Sequence, residues 1–133
     1  MKYLLTFVRD QSQMYAGTEE EMKTAMEAWN EFDRQAVEAG ALIACEPLEP
    51  PAGAKTLRSS AGKPTVTDGP FAETKEQLGG FALLECADLD EAMDWARKVP
   101  AFDGAIEVRK VMDLSAWGYQ SSTVAPAKAR ATA

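Results

Sequence analysis

The chain has 133 residues, 46% of them hydrophobic and 26% charged, a balance that fits one folded domain rather than a disordered or fibrous chain. Its formal net charge of −7 argues against DNA or RNA as a partner, because an acidic surface repels the phosphate backbone. There is no histidine, so the commonest general base near neutral pH and the commonest metal ligand are missing, and two cysteines alone cannot close a structural zinc site. No metal or other cofactor is expected.

In chain order, Tyr3 to Arg9 reads as a strand, with Tyr3, Leu5 and Phe7 on one face and Leu4 and Val8 on the other. A strand apolar on both faces is covered on both faces. The start lacks a signal-cleavage site and is too short to span a bilayer, so no membrane association is expected and the cytoplasm is the expected compartment. Thr18 and Glu21 have capping-box spacing and open a helix whose apolar stripe is Met22, Ala25, Met26, Trp29, Phe32, Ala36 and Val37; Gly40 fits just past its end. Its charged face, Glu20 to Glu38, reads as solvated.

A second strand is expected from Ala41 to Leu48, then short extended pieces at Lys55–Arg58 and Pro64–Thr67 around Gly62, which suggests a hairpin. A strand from Phe81 to Cys86 follows. Asp88 caps a second helix that carries Leu89, Ala92, Met93, Ala96 and Val99 inward and ends before Pro100. Ala105 to Met112 is the last strand. Residues 1–113 form the expected domain, and 114–133 a partly mobile tail. Cys45 and Cys86 lie in apolar runs and read as reduced, mostly buried thiols.

The order is strand, helix, strand, hairpin, strand, helix, strand. Without the hairpin it is βαββαβ, the ferredoxin-like arrangement. The expected fold class is therefore α+β, ferredoxin-like with an inserted β-hairpin. Helices cover one sheet face in such a fold, and pairing of two chains through the other face would cover the remaining apolar side chains.

The sharpest local signal is Asp68-Gly69-Pro70-Phe71. Gly69 permits a left-handed backbone and Pro70 fixes the next φ, so the turn is stiff and sets where Asp68, Phe71 and Glu73 point. A structural turn explains it too, with Asp68 accepting bonds from backbone N–H groups and Phe71 packed beneath the loop. The following Ala72-Glu73-Thr74-Lys75-Glu76-Gln77-Leu78, ending in Gly79-Gly80, reads more as a binding loop than a plain connector, with glycines that let backbone approach a ligand or partner closely.

Thr67 to Phe81, with Met1-Lys2-Tyr3-Leu4-Leu5 and Gly104-Ala105-Ile106-Glu107-Val108-Arg109, resembles the DGPF branch of the YCII-related proteins over about residues 1 to 113. The resemblance implies a dimeric α+β barrel, with two ferredoxin-like sheets face to face and a cleft near the dimer interface. It also implies a link to extracytoplasmic-function sigma factors. Relatives that resemble lactone isomerases or dehydrochlorinases use a His-Asp pair, which a chain without histidine does not carry.

The candidate chemistry rests on Asp68 as general base, which needs burial to raise its pKa. Lys75 is the candidate for holding an anionic substrate group. Arg9 and Arg109 are candidates to face the same cleft and clamp a carboxylate, or else to make surface ion pairs with Glu73, Glu107 or Asp10. Phe71 and Glu73 complete the candidate binding set. The expected partners are a second copy of the chain and a small anionic ligand. Two functions stay open: an isomerase or lyase that abstracts a proton from a carboxylated substrate, and a non-catalytic binding or regulatory module.

Overall fold

The computed structural model describes residues 1–13, 16–100 and 103–123. Among the described residues, six strands and two α-helices follow one another along the chain: β1 (Lys2–Asp10), α1 (Glu19–Glu38), β2 (Leu42–Pro47), β3 (Lys55–Ser60), β4 (Lys63–Asp68), β5 (Glu76–Glu85), α2 (Leu89–Arg97) and β6 (Ala105–Lys110). Four strands form one sheet in the order β2-β5-β1-β6, antiparallel at every pairing, and β3 pairs with β4 in a separate two-stranded sheet. With one helix between β1 and β2 and another between β5 and β6, this is an α+β fold consistent with the ferredoxin-like arrangement.

Both helices begin where their caps direct. The Thr18 hydroxyl accepts the Glu21 N–H at 3.1 Å, and Asp88 Oδ1 accepts the Glu91 N–H at 2.9 Å. Glu91 reaches back past the cap and accepts the Ala87 N–H at 2.7 Å. Gly40, with φ +72, takes the left-handed position after α1, and the Ala41 N–H returns to the Ala36 carbonyl.

One sheet face and the helices make the core. Tyr3, Leu5, Phe7, Ala82 and Leu84 are buried against Phe32, Ala36, Ala92 and Trp95. Four rings run through this layer in a chain: Phe7 to Trp29, tilted, at 5.3 Å, then Trp29 to Phe32 at 5.8 Å and Phe32 to Trp95 at 6.0 Å between centroids, both edge to face. Each such pair contributes about 0.5–1.5 kcal/mol beyond the area it buries. The opposite face carries Leu4, Thr6, Val8, Phe81 and Leu83, all half-buried with no helix among the described residues over them; at the end of this face Lys2 Nζ donates to the Ser121 and Thr123 hydroxyls.

Three expectations are corrected. β5 starts at Glu76, not Phe81, so the glycine pair lies inside a strand. Gly79 is the extra residue of a bulge between Phe7 and Val8, and a Cβ at Gly80 would stand 2.9 Å from the Glu46 carbonyl oxygen. Glycine here admits β2 rather than a ligand. β3 and β4 also run longer than expected, leaving Ala61 and Gly62 as a two-residue turn with φ of +50 and +78. On α1, Val37 is 62% exposed and Met26 about half exposed, because the helix turns Trp29, Phe32 and Ala36 toward the core and leaves these two at the margin of its stripe.

Candidate functional site

The segment after β4 is held from two sides. On the side of β3, Lys55 Nζ lies 2.5 Å from Asp68 Oδ1, and the Gly69 N–H donates to the Ala54 carbonyl at 2.7 Å. The Thr56 hydroxyl donates to the Gly69 carbonyl at 2.8 Å. Arg58 Nη2 donates to the Phe71 carbonyl at 2.8 Å, and its guanidinium carbon sits 5.3 Å from the Phe71 ring centre. On the side of β5, Gln77 Nε2 donates to the carbonyls of Ala72 at 2.7 Å and Thr74 at 3.0 Å. Gly69, with φ +99, makes the reversal between the two anchorages.

Between them lies a cleft of about 320 Å³, lined by Ala52, Asp68, Gly69, Pro70, Glu73 and Gln77. Its polar lining is two carboxylates and a carboxamide. The Glu73 carboxylate leans over the turn, so that a Cβ at Gly69 would lie 3.4 Å from Glu73 Oε1. The cation nearest Asp68 is Lys55. Among the described residues, no group of three or more His, Cys, Asp or Glu side chains gathers to hold a metal ion.

The expected site residues are only partly assembled here. Asp68 and Glu73 line the cleft. Asp68 is 83% exposed and bonds a lysine side chain rather than backbone N–H groups. In the single chain it therefore lacks the burial that a base role near neutral pH calls for. Phe71 is 76% exposed beside Arg58 and does not plug the loop. Lys75 turns to Asp10, with Nζ 3.4 Å from Oδ2. Asp10 is held below the usual carboxylate range, first by the Ser12 hydroxyl and N–H and then by Lys75.

The two arginines do not share a cleft. Arg9 follows Tyr3, Leu5 and Phe7 in alternation and opposes Gln77, which puts it on the helix-covered side of β1. Arg109 opposes Leu4 on the open face, where it ion-pairs with Glu107. A side-chain period of two separates them.

Sequence reasoning passed over Gln77, Lys55 and Arg58. Alternation counted back from Leu84 and Ala82 puts Leu78 inward, but the bulge at Gly79 shifts the phase, so Gln77 is buried and Leu78 exposed. Lys55 had a usable signal: it and Asp68 are equidistant from the Ala61–Gly62 turn and are therefore cross-strand partners.

Sheet order, helix placement and a loop-bounded cleft at the start of β5 define a small α+β protein of ferredoxin-like type. The YCII-related domain model matches residues 1–115, and the chain belongs to that family. A relative from Rhizobium meliloti (strain 1021), uncharacterized protein R00369, is 46% identical over 112 residues, covering 82% of this chain and 90% of that one.

Proposed function

We propose that this chain is a DGPF-type member of its family that works as a homodimeric α+β barrel, with β3–β4 as an insertion into the ferredoxin-like core and the Asp68 cleft as a small-molecule site. The half-buried row Leu4, Val8, Phe81 and Leu83 supports pairing through the open sheet face. The reaction we propose is abstraction of a proton next to a carboxylate, as in an isomerase or lyase. Asp68 is the base, Glu73 orients the substrate, and Lys55 or Lys75 meets the substrate's negative charge. One observation carries this reading: Asp68 and Glu73 line a single cleft, and a lysine ammonium stands 2.5 Å from the first of them. The complete reaction returns the proton to a neighbouring carbon, or expels a leaving group.

A second reading has its own support. The exposure of Asp68 and its neutralisation by Lys55 suit a binding or regulatory module, such as one serving extracytoplasmic-function sigma-factor signalling. One experiment separates the two. The protein is incubated with a panel of small carboxylic acids in D₂O and followed by NMR. Deuterium incorporation beside the carboxylate, reduced roughly a hundredfold or more in Asp68→Asn, supports the enzyme. Ligand-induced shifts with no exchange support the binding module. Neither exchange nor shifts would sink both.

A further inference from the structure

The β3–β4 pair has an unusual standing in this fold. Of its twelve strand residues only Thr56 is even half-buried. A lone two-stranded ribbon is marginal in water and needs another layer to hold it. The loop from Gly69 to Phe71 supports the side bearing Thr56 and Arg58. The reverse side bears Lys55, Leu57 and Ser59 opposite Asp68, Val66 and Pro64, and there Leu57 is 66% and Val66 61% exposed. They are direct cross-strand partners and form one apolar step.

The ribbon's charge also differs from that of the body. Lys55, Arg58, Lys63 and Asp68 give residues 55–68 a net charge of +2 in a chain of −7, so the rest carries −9. A basic ribbon with an unsupported apolar side is complementary to an acidic surface, and this chain supplies one. Glu46, opposite Phe81 in register, is exposed on the open sheet face, and Glu49 just beyond β2 is exposed as well.

We infer that β3–β4 is a docking arm that seats on a second copy of this chain, laying Leu57 and Val66 against it and carrying Lys55, on the same side of the ribbon, to its acidic rim. This rests on the dimer proposed above and adds to it a consequence for the site. The arm's docking side includes Asp68, so the second copy covers the Lys55–Asp68 pair and supplies the enclosure that the single chain lacks. Nucleic acid is the less suitable occupant, since +2 on the ribbon faces −9 on the body behind it.

The test is the self-association constant of the full chain by sedimentation equilibrium, beside thermal unfolding of each variant. Leu57→Asp/Val66→Asp is expected to weaken the dimer about tenfold or more, and Lys55→Glu to weaken it and reduce its salt dependence. Val37→Asp, on the far side of α1, is expected to change nothing. A benzophenone side chain placed at residue 57 is expected to cross-link to a second copy. A wild-type dimer whose constant stays within about twofold in both arm variants would overturn the arm and leave the dimer standing. A wild-type mass of one chain would overturn the dimer and the arm together. If the arm variants fail to fold, the residue-57 cross-link decides: a product between two copies supports the arm, and labelling of only another protein or of nucleic acid overturns it.

Discussion

Gln77 is the buried polar side chain among the described residues, and it bonds its own preceding loop rather than another element. Its carboxamide donates to the carbonyls of Ala72 and Thr74 and so ties the exposed loop to the buried end of β5. Leucine at this position keeps the volume and removes both donors, so Gln77→Leu is expected to cost about 1–3 kcal/mol, read as a lower urea midpoint at unchanged m-value. The same variant is expected to loosen residues 72–74, seen as faster amide exchange there than in β1. The thiols define the other residue-scale chemistry. Cys86 is buried and Cys45 half-buried, both free. Burial pushes the Cys45 thiol from its ordinary 9.0 up to about 12, and the Asp33 carboxylate on α1 adds to the effect. Burial likewise raises Cys86. Neither is a nucleophile near neutral pH.

Elements were legible where local chemistry sets their ends. Thr18 and Asp88 cap the helices at the positions their spacing indicates, and Gly40 turns the chain after α1. Legibility failed where a neighbouring strand sets the rule. Gly79 and Gly80 carry the signature of a loop, but one is a bulge and the other lets β2 approach, and neither fact is local. For the same reason the placing of the two arginines was not legible: Asp68 and Glu73 sit in the turn that marks them, whereas the sides faced by Arg9 and Arg109 depend on which face each strand presents. The β3–β4 turn offers a test of how far local rules reach. Ala61 holds φ +50, a conformation that suits Asn or Gly and strains alanine. Ala61→Asn is expected to raise the melting temperature, by the equivalent of about 0.5–1 kcal/mol, without altering the pairing of Lys55 with Asp68.

At the scale of the whole molecule, the helices cover one sheet face and leave the other to a partner or to water. No helix among the described residues is long and apolar enough to cross a membrane. The raised thiols give the molecule an alkaline limit. A group whose folded pKa lies above its unfolded value contributes stability that is complete below the unfolded value and is lost as pH rises through the folded one. For Cys45 that window runs from 9.0 to about 12. Unfolding midpoints are expected to be flat in this term up to pH 9 and to fall beyond it, less steeply in Cys45→Ala. Consistently, a disulfide reagent at pH 8 is expected to react slowly with the native chain and rapidly with two thiols in urea.

The position of β1 at the centre of the sheet has a consequence for how the chain is made. Leu5 lies between Ala82 of β5 and Val108 of β6, so β1 is synthesised long before either of the strands it pairs with. Helix α1 can form early, but the sheet surface it packs against exists only after β5 has been synthesised to join β1 to β2. Until then Tyr3-Leu4-Leu5-Thr6-Phe7-Val8 stays an unpaired apolar segment, the kind of stretch that chaperones hold and that self-associates when synthesis outruns folding. Closing the sheet is therefore a late step that depends on contacts between the two ends of the domain.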